Sequence, residues 1–139
     1  MRASRTPVIG RVAYLWLKSL GVEFPRTVLF GDQLELAHGA VGLVVHSRTR
    51  IGAGVTLMPG VVLGRSDSYI AEGTSPTGRI VVGDRVTVGA GAKVLFRSGQ
   101  ELVIADGTIV GANAVLLDST GPDEIWAGNP ARKVGSRTA

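Results

Sequence analysis

Two histidines, His38 and His46, are the residues of this chain best suited to acid–base chemistry near neutral pH. Imidazole is the one side chain whose ordinary pKa lets it take up and release a proton in that range. The 139 residues include no cysteine, which excludes a thiolate nucleophile, a disulfide and a Cys-ligated metal. Both histidines lie in the stretch LELAHGAVGLVVHSRTRIG, residues 34–52, among glycines and aliphatic residues. Their roles depend on the elements that hold them.

These elements follow from a six-residue repeat that begins at Phe24. A helix would show apolar residues three and four apart, and an ordinary strand would alternate for only a few residues. Here an apolar anchor recurs every six residues, and glycine often follows it, as in IGAGVT and VGAGAK. This period predicts a parallel β-helix, in which three short strands and three turns make one coil of a triangular prism. The anchors are Phe24, Phe30, Leu36, Val45, Ile51, Leu57, Leu63, Val82, Val88, Val94, Ile104, Val110 and Leu116.

Interruptions of the repeat indicate where a ligand could bind. Two long insertions, Arg65–Gly78 and Phe96–Gly99, separate successive anchors. Counting the anchors in threes assigns both insertions to one corner, between a first and a second face of the prism. Because loops on such a scaffold usually carry binding residues, we expect the loop Arg65–Gly78 to shape a ligand pocket. The first face is then formed by Phe24, Val45, Leu63, Val94 and Leu116.

A shorter interruption, nine residues from Leu36 to Val45, brings His38 to the corner before the first face of the second coil. Glu23 lies at the same corner one coil earlier. Neighbouring coils are about 4.8 Å apart, so a hydrogen bond between the two side chains is within reach. A carboxylate that accepts from one ring nitrogen leaves the other free as a general base. The spacing equally allows a surface histidine with a chance acidic neighbour.

His46 directly follows the anchor Val45 and keeps the register of the repeat. We therefore expect it to pack at the surface or in an interface between subunits. A metal site is the alternative, but it would need more imidazoles than the chain has, unless subunits pool ligands or carboxylates substitute. The sequence therefore predicts no metal.

The segment before the repeat, Val8–Gly21, has apolar residues near helical spacing and a plausible stop at its last two residues. We expect residues 1–22 to form a helical cap over the open end of the prism, with Tyr14 and Trp16 packed within it. Contact with a membrane surface is the alternative reading of this segment.

The net charge of the chain is +4, with lysines and arginines scattered singly rather than interleaved with aromatic residues. A solvated basic surface explains this best, a polyphosphate small molecule comes second, and nucleic acid is least favoured. Arg11 and Lys18 interrupt the N-terminal apolar segment, which falls short of the ~20 residues that cross a bilayer. No cleavage site for a secretory signal follows it. The sequence thus predicts a cytoplasmic protein without a membrane span.

With these features the chain resembles the hexapeptide-repeat acyltransferases, in the branch of the serine acetyltransferases and their short relatives in polysaccharide biosynthesis. The similarity runs from about Gly21 to Gly135, and its specific parts are GVEFP, LAHGAVGLVVH, VGAGAKVL, VGANAVLL and AGNPARKVG. The Pro-Ala-Arg ending after a hexapeptide array is typical of these CoA enzymes. The resemblance implies an all-β, left-handed parallel β-helix of about four to five coils over residues 23–139, with a short N-terminal α-helix.

The resemblance also implies roles for individual residues. The general base of the family matches His38, and the acidic residue that orients it matches Glu23. Family members are commonly homotrimers, with acetyl-CoA as co-substrate in the groove between neighbouring prisms. Small residues in that groove admit the pantetheine, and cations at its end could meet the phosphates. The residues carried over to acetyl-CoA are Ala90, Gly91, Ala112, Arg132 and Lys133.

Two positions depart from the family pattern. Ala37 stands where the family usually has an aspartate before the catalytic histidine. Arg79 stands near the position of a second histidine, which in the family helps to recognise serine. These departures weaken serine as the acceptor, while Arg79 could bind an acidic one.

Together these features predict an acetyl-CoA-dependent O-acetyltransferase. It would move the acetyl group directly to a hydroxyl of serine, a sugar or another metabolite, with His38 as general base. N-acetylation of an amino sugar is the alternative with the same base. Two hypotheses that assign the chain to other classes of protein stay open. One is a metal protein of the gamma-class carbonic anhydrase type, which needs three histidines, and the other is a non-catalytic binding or assembly module.

Overall fold

A computed structural model of the chain describes residues 7–71 and 77–137, so the predicted cap and the loop Arg65–Gly78 lie partly outside the described residues. The chain begins with helix α1 (Pro7–Ser19). The helix ends before Gly21, whose φ of 79° is the left-handed conformation that suits glycine at a helix C-terminus. The predicted helix is confirmed within one or two residues at each end.

Short strands follow α1 through the rest of the described chain. They are short because each side of the prism holds only a few residues before the chain turns. The strands are β1 (Leu29–Phe30), β2 (Glu35–Leu36), β3 (Val44–Val45), β4 (Thr49–Ile51), β5 (Thr56–Leu57), β6 (Val62–Arg65), β7 (Arg79–Val82), β8 (Thr87–Val88), β9 (Lys93–Phe96), β10 (Glu101–Ile104), β11 (Ile109–Val110), β12 (Val115–Leu116), β13 (Glu124–Gly128) and β14 (Ala131–Ser136).

The strands form three sheets, which we call faces 1, 2 and 3. Face 1 has the order β12-β9-β6-β3, face 2 the order β1-β4-β7-β10, and face 3 the order β14-β13-β11-β8-β5-β2. From β1 to β12, neighbours in a sheet are three strands apart in the chain and pair in parallel, so each coil contributes one strand to each face. β14 folds back on β13 in antiparallel pairing. This is the triangular β-helix that the repeat predicts.

Strand register confirms the assignment of anchors to faces. On face 2, Phe30 is aligned with Ile51, and Ile51 with Val82. Glu23 forms an isolated parallel bridge with Val44, which extends face 1 back to the first coil. The aligned anchors of face 1 are Val45, Leu63, Val94 and Leu116.

A column of small aliphatic side chains fills the prism, and the anchors of the second to fifth coils are fully buried. Each Val, Leu or Ile buried in this way contributes about 1.5–3 kcal/mol. The first coil differs, because Phe24, Phe30 and Leu36 are only half buried. Helix α1 lies against this open end, and a cavity of about 300 Å³ with mainly apolar lining remains between the helix and the coil.

Only one of the two aromatic residues expected to pack in the cap does so. Tyr14 is half buried and lines the cavity together with Gly10, Ala13 and Leu17. Trp16 is 68% exposed, so the prediction that it packs is wrong. The physical reason is helical geometry, because Trp16 lies about a third of a turn around α1 from the residues that line the cavity.

Candidate active site

His38 lies in a bulge at the corner between faces 3 and 1. In the next coil that corner is a turn closed by a hydrogen bond from the Val61 N–H to the Met58 carbonyl. The equivalent bond in the His38 coil joins Leu43 to Ala40, which leaves residues 37–39 as the insertion. His38 itself has φ 52° and ψ 33°, a left-handed conformation that costs energy for a non-glycine residue. The bulge therefore holds an exposed imidazole outside the regular coil.

Glu23, the predicted partner of His38, has other partners in the chain. Its carboxylate accepts a hydrogen bond of 2.9 Å from the Tyr14 hydroxyl and lies 3.2 Å from the Lys18 ammonium. Hydrogen bonds from Tyr14 and then Lys18 lower the pKa of Glu23, so the carboxylate is ionised at neutral pH. Among the described residues no hydrogen bond joins it to His38. The reason is register, because Glu23 pairs with Val44 while His38 lies in the bulge before it.

His46 packs inside its own chain, at the corner between faces 1 and 2. Its ring meets the Phe96 ring edge to face at 5.1 Å, and its Nδ1 accepts a 3.1 Å hydrogen bond from the Arg48 N–H. The ring is half buried. These contacts differ from those of His38, whose ring is exposed, and they give His46 a packing role within the turn.

The corner that carries His38 continues along the later coils, where the resemblance predicts the CoA groove. Gly42, Gly60 and Gly91 stack there with φ between 71° and 80°, and a Cβ on Gly60 would lie 3.5 Å from the Gly91 Cα. Glycine at these positions adds no side chain of its own to this corner. The predicted CoA residues Ala90 and Ala112 are exposed at the same corner, about two and three coils from the His38 bulge. At about 4.8 Å per coil, this is roughly 10–15 Å.

Arg132 and Lys133, the predicted partners of the CoA phosphates, lie on β14 at the far end of the prism. Arg132 is aligned with Ala127 on the neighbouring strand. Ala127 directly follows the face 3 residue that pairs with Val110, so Arg132 lies where the same corner continues. The Lys133 ammonium lies 3.0 Å from Glu124. His38, Ala90, Gly91, Ala112 and Arg132 are thus arranged along one edge of the prism.

Lys93 is a residue at this groove that the sequence did not single out. Its ammonium donates a 2.5 Å hydrogen bond to the Gly91 carbonyl and lies 3.4 Å from the Gly60 carbonyl. The side chain therefore places a positive charge at the groove. The motif VGAGAKVL contains this lysine. The repeat does not indicate that the lysine ammonium folds back over the stacked glycines.

Arg79 lies at a different corner, between faces 1 and 2. Its guanidinium pairs with Glu101 on the neighbouring strand, with Nη2 to Oε2 at 2.5 Å. Both long insertions leave this corner, as predicted, since β6 leads to β7 and β9 leads to β10. In one chain, face 1 separates Arg79 from the His38 corner.

The two insertions are joined by Asp67. Its carboxylate accepts hydrogen bonds from the backbone N–H and the hydroxyl of Ser98, at 2.9 and 3.1 Å, and pairs with Arg65 at 3.2 Å. The Ser98 backbone N–H is the main cause that lowers the pKa of Asp67, followed by the Ser98 hydroxyl and Arg65. The described part of the loop is therefore anchored to the turn 97–100 by an ionised carboxylate.

Two further properties concern the described chain as a whole. Across residues 7–71 and 77–137, no helix is long and apolar enough to cross a bilayer. The same ranges hold no group of three or more His, Cys, Asp or Glu side chains arranged to bind a metal ion.

Fold and site together define the class of this protein. It has the left-handed β-helix of the hexapeptide-repeat acyltransferases, with a histidine-bearing bulge at one corner. Comparison of the sequence with family models finds no match. Individual proteins are more informative, and the chain is a homologue of the serine acetyltransferases.

Curated relatives carry the homology. The chain is 34% identical over 115 residues to the serine acetyltransferase of Mycobacterium tuberculosis. The aligned region covers 83% of this chain and 46% of that protein. It is 34% identical over 114 residues to the serine acetyltransferase of Helicobacter pylori, covering 82% of the chain and 61% of that protein. The chain thus spans about half to three fifths of the length of these relatives.

Solved structures agree. A serine acetyltransferase from Neisseria gonorrhoeae has a TM-score of 0.74 at 26% identity, over 94% of the chain and 49% of that structure. The soybean enzyme complexed with serine has a TM-score of 0.70 at 30% identity, over 94% and 50%. A serine acetyltransferase in complex with CoA has a TM-score of 0.67 at 27% identity, over 81% and 42%.

Proposed function

We propose that this chain is an acetyl-CoA-dependent O-acetyltransferase that transfers the acetyl group directly from the thioester to a small-molecule hydroxyl. The observation that carries the proposal is the exposed His38 in a bulge, at a corner where glycines stack in successive coils, in a homologue of serine acetyltransferases. Residues 1–22 act as the cap in this proposal, and residues 23–139 as the transferase domain.

His38 is the general base of the proposed reaction. A free hydroxyl is scarcely ionised at neutral pH, so its proton must leave as its oxygen attacks the thioester carbonyl. The imidazole takes that proton while the C–O bond forms. The tetrahedral intermediate then expels the CoA sulfur, which receives the proton from the imidazolium. The chain contains no cysteine, so no thioester acyl-enzyme can form on a cysteine of this chain.

Glu23 orients His38 in this proposal and stabilises the imidazolium that forms. To do so its carboxylate must turn from Lys18 towards the bulge. The Lys18 side chain is 55% exposed, and exposed ion pairs contribute little, so this rearrangement is inexpensive. Tyr14 can keep its hydrogen bond to one carboxylate oxygen while the other approaches the ring.

Acetyl-CoA lies along the groove in this proposal. Ala90, Gly91 and Ala112 let the pantetheine approach the backbone, whose N–H and C=O groups can bond to it. Arg132 and Lys133 meet the phosphates at the far end. A similar serine acetyltransferase has been solved in complex with CoA, which supports the co-substrate.

The acceptor is the hydroxyl of serine or of a sugar or other metabolite. The names of the relatives favour serine. Arg79 is the proposed acceptor-binding residue, and an acidic group on the acceptor would share its guanidinium with Glu101. An amino-sugar nitrogen could be acetylated with the same base.

Because His38 and Arg79 lie at different corners of one prism, a site that uses both needs two protomers. We propose a homotrimer in which the His38 corner of one protomer meets the Arg79 corner of its neighbour. The face between them is then the surface that each subunit shares with the next.

Replacement of one histidine at a time tests this function. We expect His38→Ala to lower kcat for acetyl transfer by about 100-fold or more, the usual contribution of a general base. His46→Asn is the matched control and should retain activity, because His46 packs against Phe96. Release of free CoA thiol with a panel of amino acids and sugars measures the rate.

Binding of CoA separates a chemical defect from a folding defect. Both variants should keep the thermal stabilisation by CoA that the wild type shows. Near-normal turnover by His38→Ala, on every acceptor that the wild type uses, would rule out the mechanism.

A further inference from the structure

Helix α1 has an apolar side that nothing in the described chain covers. Its exposed side chains follow helical spacing of three and four residues, so they share one side, which we call the outer face of α1. They are Val12 (60% exposed), Leu15 (56%), Trp16 (68%) and, just after the helix, Leu20 (51%). Single exposed apolar residues are ordinary, whereas these four side chains are neighbours on one side of the chain.

Cations border this face. Helix α1 contains no acidic residue in its sequence PVIGRVAYLWLKS. Arg11 is exposed, and the Lys18 side chain is 55% exposed, with Glu23 offsetting part of its charge. Arg26 lines the cavity under the helix. Helix α1 itself therefore carries cations and no carboxylate beside its apolar face, while Asp32 and Glu35 lie on the first coil.

We propose that the outer face of α1 docks on an anionic lipid surface. An amphipathic helix with cations beside an apolar side that includes Trp lies in the plane of a bilayer interface, with its apolar side in the headgroup region. Each Lys or Arg near an anionic surface adds about 1 kcal/mol of attraction. The cations of α1 complement such a surface.

The size of the face distinguishes a bilayer from a second copy of the chain. A helix of 13 residues is about 20 Å long and about 10 Å wide, so its footprint is roughly 200 Å². A stable protein–protein interface buries about 800 Å² on each partner. The outer face alone is therefore too small for a dimer, and two copies would bring like charges together. A bilayer requires no matching shape.

The open end of the prism adds a second apolar surface in the same region. The cavity of about 300 Å³ under α1 is lined by half-buried residues of the first coil, among them Phe24, Phe30 and Leu34. The apolar character thus belongs to this end of the molecule as a whole rather than to one side chain. This proposal is independent of the acetyl transfer proposed above.

Co-sedimentation with vesicles tests the docking. The purified chain should bind vesicles of phosphatidylcholine mixed with phosphatidylglycerol, bind phosphatidylcholine alone much less, and release as salt is raised. A Leu15→Gln/Trp16→Gln variant should partition at least about tenfold less, because the side chains that would enter the interface are removed. Arg11→Gln should weaken binding to the anionic vesicles by about fivefold and leave the weak binding to phosphatidylcholine unchanged.

Val134→Gln is the matched control, since Val134 is 65% exposed on β14 at the opposite end of the prism. It should bind like the wild type. The substituted α1 residues are exposed, and circular dichroism with CoA-induced stabilisation verifies that each variant is folded. Absence of binding to anionic vesicles, or equal binding by the double variant, would overturn the proposal. So would concentration-dependent self-association lost in the double variant without vesicle binding, because a second copy would then occupy the face.

Discussion

His38 and His46 are alike in sequence setting and different in structure. The exposed His38 ring projects from left-handed backbone, which costs energy and persists only where the surrounding fold enforces it. Here the flanking strands β2 and β3 are held by pairing with β5 and β6, so the extra residues between them form a bulge that leaves His38 and Gly39 exposed. His46 lies in the regular coil, where Phe96 holds its ring. One inserted tripeptide thus decides which imidazole is exposed.

Glu124 has a strongly lowered pKa at the far end of the prism. The Trp126 indole N–H donates to its carboxylate at 2.8 Å and the Gly121 N–H at 2.7 Å, and Lys133 lies 3.0 Å away. These contacts, with the indole first, lower the pKa of Glu124 to about 2 from an ordinary 4.5. Lys133, proposed to bind a CoA phosphate, is thus held in place by an ionised partner.

This shift predicts a pH dependence of stability. Because the pKa of Glu124 is lower in the folded state, its contribution is complete above pH 4.5 and is lost as the pH falls towards 2. We expect Glu124→Gln to reduce the fall in Tm over this range, measured by calorimetry at constant ionic strength. Trp126→Phe should move the loss to higher pH, because it removes the main donor. An unchanged Tm profile in Glu124→Gln would contradict the assignment.

At the scale of elements, the coils approach one another at their corners as closely as backbones can. Gly52 lies between faces 2 and 3, where a Cβ would be 2.7 Å from the Gly83 carbonyl carbon and would collide with the Asp84 carboxylate. That carboxylate accepts a hydrogen bond from the Ala53 N–H at 2.8 Å. Glycine after the anchor is therefore a packing requirement at this corner.

The close approach predicts the cost of a single methyl group. Gly52→Ala should lower the free energy of unfolding by roughly 1–3 kcal/mol, as overpacking of a filled site does. Gly64→Ala is the matched control, because a Cβ there would make ordinary contacts of 3.5 and 3.7 Å. Denaturant unfolding of both variants measures the difference. Equal stabilities would mean that the corner can expand without cost.

The two long insertions are joined by side-chain hydrogen bonds. Asp67 bonds to both the N–H and the hydroxyl of Ser98, and Arg65 donates to the carbonyls of Asp67 and Ile70. The start of the loop is therefore fixed to the β9–β10 turn. This anchor holds the described start of the loop in position relative to face 1.

At the scale of the whole molecule, the proposed chemistry is divided between two corners. The base and the CoA groove lie between faces 3 and 1, and Arg79 lies between faces 1 and 2. A triangular prism cannot bring two of its own corners together. Only a neighbouring prism can complete a site that uses both.

Mixed oligomers test this division. His38→Ala and Arg79→Ala protomers should each have low activity alone, the second through a raised acceptor KM. If co-expressed protomers assemble at random, about a quarter of all sites should hold both native residues and regain activity. Separately purified oligomers that do not exchange subunits are the control. Activity no greater than that of the parent variants would place the whole site within one chain.

The coil of the β-helix follows from local spacing in the sequence. Six-residue spacing fixes which side chains point inwards, and so it assigned the anchors to three faces and both long insertions to one corner. These are consequences of local periodicity, which every coil repeats. The same periodicity identified the bulge that carries His38, because a count of nine residues cannot fit a period of six.

Tertiary structure decided the contacts between elements that no repeat relates. Glu23 bonds to Tyr14 and Lys18 because α1 packs beside the first coil, and the direction of a packed helix is not written in the period of a β-helix. The exposure of Trp16 has the same origin, since which side of α1 faces the prism depends on the shape of the open end. The positions of side chains within a coil follow from sequence spacing, whereas contacts between helix and coil depend on tertiary packing.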